Sequence, residues 1–229
     1  MIEDFEKNWL AKFSHSLESV VGEEMRNTIM KGSQELSDVS DRRDIIEWSR
    51  RAMERLDEFV DKNKRIEIMT GCACEYPKSE LQEIRKTYEE TKDIDLVHYM
   101  LQEKFVFFLK NGLKLDNDMI GEILNRGWGL AGMKQGNKII ATKIPKSGYL
   151  LEYMKETDPT KKRTLYCHCP RIRDAMKKGI SISPTYCYCG AGFYKSIWEE
   201  ILQKPVSVEV LETVIKGDDV CKIAISLPS

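Results

Sequence analysis

Apolar residues recur with helical spacing in the first half of the chain and alternate like those of a strand near its end. One stripe takes every fourth residue and comprises Phe5, Trp9, Phe13, Leu17 and Val21. Such a stripe predicts an amphipathic helix, and Asp41 is well placed to cap a second helix. From 206 to 215, VSVEVLETVI alternates between apolar and polar residues, and VCKIAISLP follows a GDD turn. This arrangement predicts a C-terminal β-hairpin, so helices followed by strands indicate an α+β fold.

The change in spacing near residue 127 divides the chain into two expected regions. Residues 1–126 are predicted to form a mainly helical N-terminal lobe, and residues 127–229 a mixed α/β domain that ends in the hairpin. The other elements expected in the second region are a strand at 138–145, a short strand running into a loop at 164–170 and a helix at 191–203. A chain of 229 residues accommodates either one large domain or two small ones.

Capping residues suggest several boundaries within the helical region. A helix is expected to begin at Asp93 or Asp95, and Asn117 or Asp118 is expected to cap the next one. The segment NKRIEIMTGCACEYP, at 63–77, is expected to interrupt the helices because its pattern does not continue the preceding stripe.

The charge balance limits the partners that the sequence predicts. The chain has 36 basic and 37 acidic residues and a net charge of −1 at pH 7. A surface that binds nucleic acid needs an excess of positive charge, so we expect no nucleic-acid partner. We also expect no membrane partner, because no apolar run approaches the roughly 20 residues of a spanning helix. The opening residues MIEDFEKNWLAKF do not resemble a signal peptide, which predicts a cytoplasmic protein with reduced thiols.

Six of the seven cysteines occur as three Cys-x-Cys pairs. The pairs lie in GCACEYP at 71–77, TLYCHCP at 164–170 and TYCYCG at 185–190. In an extended chain, residues i and i+2 project from the same face, so each pair presents two thiols together. Two pairs that face each other would supply the four sulfurs of a tetrahedral zinc site or an iron–sulfur cluster. The predicted metal ligands are Cys72, Cys74, Cys167, Cys169, Cys187 and Cys189.

Two other interpretations of the pairs remain open. In the first, Cys187 or Cys189 is a catalytic nucleophile or redox partner assisted by His168 or Lys195. In the second, the thiols are buried and inert, since a free cysteine behaves as a small hydrophobic residue. Cys221 lies within the alternating segment VCKIAI and is expected in the core. One residue separates the cysteines of each pair, whereas two or more residues usually separate the cysteines of a structural zinc site.

A ligand pocket is predicted next to the third pair. The sequence GAGF opens the predicted helix, where the amides of Gly190 and Gly192 are expected to bind an anion together with Lys195. Phe193 is assigned to the same pocket, and Trp128, in the glycine-rich RGWGLAG, is expected to cover it from a flexible lip. In the alternative interpretation, the small residues only allow the helix to pack closely.

The C-terminal part of the chain resembles a known group of domains. The segment CYCGAGFYKSIWEEILQKPVSVEVLETVIKGDDVCKIAI, at 187–225, is similar to the end of 4-vinyl-reductase-type small-molecule-binding domains and of aminothiazoline-carboxylate-hydrolase-like proteins. The motifs YCHCP and CYCGAGFYK are similar to those of uncharacterised clostridial-type bacterial proteins that share this ending. The resemblance implies a mixed α/β domain at 127–229 whose hairpin helps to enclose a ligand pocket.

The resemblance extends only in part to a metal site known among these relatives. Sensor-type relatives have a cysteine-containing zinc site near the pocket, and only Cys221 matches one of its ligands. Thr213 and Val210 stand where a second cysteine and its acidic neighbour are expected, and Ser183 falls near the place of another ligand. A metal in this chain would therefore have to use the Cys-x-Cys pairs instead.

Together these features predict a small-molecule-binding or metal-binding protein, a sensor or carrier whose clustered thiols lie near a ligand pocket. The alternative is a cysteine-dependent hydrolase of a small amide-like or thiazoline-like substrate. The expected partner is a small-molecule ligand, and the expected cofactor is zinc or an iron–sulfur cluster. A homodimer is compatible with the sequence, which does not determine the oligomeric state, the substrate or the metal.

Overall fold

The computed structural model describes residues 2–36 and 40–228, with side chains from residue 6 onward. Its α-helices are α1 (Ile2–Met30), α2 (Arg42–Phe59), α3 (Lys62–Gly71), α4 (Gln82–Thr91), α5 (Ile94–Phe107), α6 (Asn117–Asn125), α7 (Leu150–Lys155), α8 (Pro159–Tyr166), α9 (Pro170–Lys178) and α10 (Tyr188–Leu202). Its strands are β1 (Met133–Gln135), β2 (Lys138–Thr142), β3 (Ser207–Glu212) and β4 (Lys222–Ser226). Short 3-10 helices lie at Ser33–Glu35, Lys78–Leu81, Ser147–Tyr149, Pro184–Cys187 and Val214–Lys216, and a π-helical turn lies at Phe108–Gly112.

The N-terminal region is helical, as the spacing of its apolar residues predicts. The buried members of the α1 stripe include Trp9, Phe13 and Leu17. The side chain of Phe5 lies outside the described residues. Asp41 caps α2 by accepting a hydrogen bond from the N–H of Arg43 at 2.6 Å, and Asp93 caps α5 in the same manner. Both capping predictions are confirmed, and each cap satisfies amides that the first helical turn leaves without a partner.

Two predictions about helix boundaries are wrong. Asp116, and neither Asn117 nor Asp118, caps α6, because its carboxylate accepts the N–H of Met119 at 2.8 Å. The segment 63–77, predicted to interrupt the helices, contains most of α3. The carboxylate of Asp61 accepts two amide hydrogens of the first α3 turn, and this cap starts a new helix immediately after α2 ends.

The strand predicted at 164–170 does not form. Helix α8 continues to Tyr166, and α9 begins at Pro170, so only three residues separate the two helices. Asp158 caps α8, and each of the two helices has a proline in its first turn. Proline suits this position because its fixed φ matches the helix and its missing N–H is not needed there. The second half of the chain is consequently more helical than the sequence predicts.

The four described strands form one antiparallel sheet in the order β1-β2-β4-β3. Strands β3 and β4 form the predicted C-terminal hairpin, with Val208 opposite Ile225. Strand β2 lies within the predicted strand at 138–145 and pairs with β4, with Ile140 opposite Ala224. A β-bulge between Val210 and Glu212 disturbs the end of β3. The α+β fold with its helical N-terminal part and its terminal hairpin is thus confirmed.

Helix α10 connects the helical part of the chain to the sheet, because it contacts α3 and α4 as well as β3 and β4. One apolar core includes Phe13, Met53 and Tyr186, and a second includes Ile84 and Trp198. Each core contains residues from both sides of position 126, and the proposed division into two regions stays a prediction.

In the described part of the chain, no helix combines the length and apolar character needed to cross a membrane.

Candidate functional site

A cavity of about 420 Å³ lies where the helices meet the hairpin end of the sheet. Its wall is mainly apolar and takes residues from α1, α5, the α8–α9 turn, α10, β3 and β4. Aromatic side chains on the wall are Trp9, Tyr76, Phe105, Phe108, Tyr166, Tyr186, Phe193 and Tyr194. A concave, largely apolar space of this volume is typical of sites that bind small molecules.

Six of the seven cysteines lie on the wall of this cavity. They are Cys74, Cys167, Cys169, Cys187, Cys189 and Cys221. All seven cysteines are free thiols. Cys72 is buried away from the wall, and its thiol donates to the carbonyl of Ile68 at 3.2 Å. Each of the three Cys-x-Cys pairs therefore contributes at least one thiol to the same cavity.

The second pair lies in the sharp connection between α8 and α9. Cys167 directly follows α8 and Cys169 directly precedes α9, and both have extended backbone angles with ψ near 130° and 120°. The Cys169 thiol donates to the hydroxyl of Tyr186 at 3.6 Å. Pro170 fixes the start of α9 directly after the pair, and this places both thiols on the cavity wall.

The third pair has a helical backbone and not an extended one. Cys187 is the last residue of a 3-10 helix, and Cys189 lies in the first turn of α10. The Cys189 thiol donates to the carbonyl of Cys72 at 3.4 Å, so the first and third pairs are in direct contact. Thr213 connects the third pair to the hairpin, because its hydroxyl donates to the sulfur of Cys187 at 3.0 Å and accepts from the Cys221 thiol at 3.8 Å.

Burial keeps four of the wall thiols protonated at neutral pH. It raises the pKa of Cys187 and of Cys189 to about 12, and neighbouring thiols act in the same direction. The hydroxyl of Thr213 opposes this shift at Cys187, since a donor to the sulfur favours the thiolate. Burial also raises the pKa of Cys167 and of Cys221. These side chains consequently form a soft, uncharged surface.

His168 lies on the cavity wall, and its ring is held by the backbone. Its Nε2 is 2.7 Å from the carbonyl oxygen of Ile144, and because a carbonyl only accepts, Nε2 carries the hydrogen. Partial burial and the charges of Lys143 and Lys146 lower the pKa of His168, so the ring is neutral at pH 7. In this arrangement Nε2 is not free to accept a proton from a cysteine.

The residues predicted to bind a ligand are only partly on the wall. Gly190 and Phe193 line the cavity, whereas Gly192, Lys195 and Trp128 do not. The helical run begins at Pro184, so the amides of the two glycines lie inside it and not at an open helix start. The two amides therefore do not have the position at a helix start that the predicted anion site requires.

Each of the three other residues has a different structural position. Gly192 lies against α3, where a Cβ atom would come within 2.3 Å of the Thr70 carbonyl oxygen. Lys195 forms an ion pair with Glu199 one helical turn away. Trp128 is buried and packs edge-on against Tyr153, beside a second, more open cleft.

Lys143 lies on the cavity wall, although it is not among the site residues predicted from the sequence. Lys143 is half-buried and follows β2, where Ile139 and Ala141 are fully buried. Because residues i, i+2 and i+4 of an extended segment share a face, the alternation in KIIATK could have placed this lysine on the buried face. Trp9, which is far away in the sequence, gives no such local signal.

Among the described residues, no group of three His, Cys, Asp or Glu side chains has the arrangement of a metal site. The side chains that could contribute to one are those of the predicted set, five of which lie on the cavity wall: Cys74, Cys167, Cys169, Cys187 and Cys189. Thiolates are the ligands that zinc and iron–sulfur clusters use, and metal binding to cysteines is coupled to the release of their protons. The metal site stays a prediction.

Comparison with known proteins gives one match. Residues 146–229 match the model of a family of unknown function, DUF6144. This segment covers 84 of the 229 residues, less than half of the chain, and it contains the second and third cysteine pairs and Cys221 but not Trp9, Cys74 or Lys143. No curated protein and no solved structure matches the sequence. The resemblance to 4-vinyl-reductase-type domains stays a prediction.

Proposed function

We propose that the protein is a sensor or carrier that binds a small, largely apolar molecule in the thiol-lined cavity. One observation carries this proposal: six cysteines from four separate chain segments lie around a single space of about 420 Å³. Cavities of this size, with apolar walls and few polar groups, are the usual form of small-molecule sites. The chain would work with reduced thiols, as in the cytosol, which is the compartment that we propose.

The walls suit a ligand that contains an aromatic or similarly polarisable group. Trp9 stacks on Tyr186 with ring centroids 5.2 Å apart, and Phe193 packs edge-on against Tyr76. Protonated thiols lie on the same cavity wall as these rings. Sulfur and aromatic surfaces both gain dispersion energy from polarisable contacts, so the wall would favour a flat apolar molecule over a strongly polar one.

The proposal is tested with the neutral fluorescent probe N-phenyl-1-naphthylamine. We expect saturable binding of about one probe per chain by the reduced protein. The variant Val210→Trp fills part of the cavity and should weaken binding at least roughly tenfold, because an enlarged wall residue excludes the probe. Leu211→Trp is the matched control, since Leu211 is the next residue of β3 and is exposed. Absent binding, or equal binding by both variants, would contradict the proposal.

A second candidate is the cysteine-dependent hydrolase, with Cys187 or Cys189 as the nucleophile. One contact favours it: the Thr213 hydroxyl donates to the sulfur of Cys187 and would stabilise a thiolate there. The high pKa of Cys187 argues against it, because the thiolate is the nucleophilic form. A rapidly alkylated thiol at this position would support the hydrolase.

A third version of the proposal is that the same thiols bind a metal ion or an iron–sulfur cluster. Elemental analysis of protein purified with and without air distinguishes it from a metal-free cavity. A bound zinc ion or iron–sulfur cluster would be present in a fixed ratio to the chain, and Cys167→Ser together with Cys187→Ser would remove it. Metal-free protein in which all wall thiols react would exclude this form.

A further inference from the structure

The cavity wall carries one positive charge that no described acidic side chain neutralises. Three residues on the wall have side chains that are charged at neutral pH. Lys104 pairs with Glu80 at 3.1 Å, and Glu212 pairs with Lys222 at 2.8 Å. Lys143 has neither an ion pair nor a side-chain hydrogen bond to any described residue, although it is half-buried. Partial burial of a charge without a partner costs free energy, and a ligand group of opposite charge would offset this cost.

The position of Lys143 is well defined by its backbone. Its N–H donates to the carbonyl of Cys221 at 3.0 Å, and its own carbonyl accepts a hydrogen bond from the hydroxyl of Tyr166 at 2.5 Å. The ammonium nitrogen lies close to Gly190, because a Cβ atom placed on that glycine would be 3.4 Å from it.

A second polar group on the same wall also lacks a hydrogen-bond partner. The indole nitrogen of Trp9 is buried, and it makes no hydrogen bond in the described part of the chain. It approaches the sulfur of Cys189, which is a weak acceptor. Buried donors without a strong acceptor are uncommon in proteins. The wall therefore combines an unpaired cation with an unsatisfied N–H donor.

We infer that the ligand of this cavity carries a carboxylate, which pairs with the ammonium group of Lys143 while the apolar body of the ligand fills the rest of the cavity. This inference rests on the binding role proposed above and names the class of ligand. One carboxylate balances one ammonium charge. A phosphate group carries up to two negative charges at neutral pH, and the excess would remain in a mainly apolar space. The inferred ligand is thus a small apolar monocarboxylic acid.

Two probes of nearly equal shape test the charge directly. The compounds 1-naphthaleneacetate and 1-naphthaleneacetamide differ in that only the first is charged at pH 7. We expect the reduced protein to bind the acetate at least roughly tenfold more tightly by isothermal titration calorimetry, which corresponds to about 1.4 kcal/mol. Lys143→Met keeps the length of the side chain and should abolish this preference without weakening the amide. Lys143→Arg should retain it.

The control is Lys195→Met, which removes a lysine of α10 that pairs with Glu199 outside the cavity. This variant should keep the preference for the acetate. Equal affinities of the unaltered protein for the two compounds, or tighter binding of the amide, would overturn the inference even if Lys143→Met failed to fold. Those results would leave the binding role intact, because that role is tested separately by the neutral probe N-phenyl-1-naphthylamine.

Discussion

At the scale of single residues, burial shifts the pKa of Cys187 and of Cys189 more than any neighbouring charge does. Lys143 lowers the pKa of Cys187 and of Cys189, but burial is the larger effect and raises both to about 12. A cysteine nucleophile normally needs the opposite balance, with a cation or a helix start that favours the thiolate. The raised pKa values of Cys187 and Cys189 instead suit thiols that contact a ligand without reacting with it. They also predict that these two thiols react slowly.

We predict that Cys74 is the first cysteine to react with iodoacetamide in reduced, metal-free protein at pH 7.5. Cys74 is exposed, whereas Cys187 and Cys189 are protonated and partly shielded. Because a raised pKa leaves little thiolate, the alkylation rates of Cys187 and Cys189 should rise roughly tenfold per pH unit up to at least pH 10. Free cysteine, with a pKa of about 8.5, should level off sooner.

Peptide mapping by mass spectrometry measures these rates, and Cys74→Ser shows that loss of the fast site leaves the slow ones unchanged. If Cys187 or Cys189 reacted faster than Cys74 at pH 7.5, the wall would contain an activated thiol. That outcome would favour the hydrolase over the sensor or carrier.

At the scale of secondary-structure elements, the close contact between α10 and α3 brings the first cysteine pair to the third. Gly192 makes this contact possible, because its backbone lies directly against Thr70. The same contact places Ala73, between the two cysteines of the first pair, next to α10. The small residues of GAGF thus allow close packing, which is one of the two roles that the sequence suggested for them.

We predict that Gly192→Ala destabilises the protein by about 1–3 kcal/mol. The new Cβ atom would meet the Thr70 carbonyl oxygen at 2.3 Å, and this backbone group cannot move without separating α10 from α3. Gly121→Ala, in α6, is the matched control because a Cβ atom at residue 121 would have nothing within 4 Å. It should stabilise the protein by about 0.5–1 kcal/mol, since alanine favours a helix more than glycine does.

Urea denaturation of the two variants provides the comparison. A similar midpoint for Gly192→Ala and the unaltered protein would show that α3 and α10 are not in tight contact, and the position of the first cysteine pair would then be in doubt.

The sequence predicted those elements whose pattern is local. The α1 stripe and the alternation in β3 are examples, because burial of one face imposes the spacing directly. In α8 the same reasoning failed, since Thr164 and Tyr166 are both buried and imitate the alternation of a strand. The cap at Asp158 and the following Pro159 were the better signals, because they act on the backbone at the helix start.

The site itself was predictable only in part. Clustered cysteine pairs indicated thiols near a pocket, and the structure brings these pairs to one cavity. The contribution of Trp9 depends on how α1 packs against α2 and α3 and on its contacts with Tyr186 and Arg171, which no local pattern encodes. Lys195 attracted attention because it lies beside the glycines in the sequence, but a helix turns its side chain towards Glu199. Lys143, on the neighbouring strand segment, faces the cavity instead.

At the scale of the whole molecule, buried charges connect the first helix to the C-terminal part. Arg171 of α9 is fully buried and pairs with Glu6 of α1, which also pairs with Arg42 at 2.5 Å. The Arg171 guanidinium lies over the ring of Trp9 at 4.1 Å. Removing one partner of such a group leaves a buried charge, so these contacts strongly favour one arrangement of α1. The cavity therefore depends on residues well outside the segment 146–229.

The most direct test of a ligand among the thiols is protection from alkylation. Reduced protein is treated with N-ethylmaleimide with and without a saturating concentration of N-phenyl-1-naphthylamine, and each cysteine is followed by peptide mapping. A cysteine introduced as Ser19→Cys, at an exposed position of α1, reports on the reagent itself. We predict that the probe slows the modification of Cys169, Cys187 and Cys189 severalfold and leaves the introduced cysteine unaffected. Unchanged rates at these three cysteines, with the probe bound, would contradict a ligand site in the thiol-lined cavity.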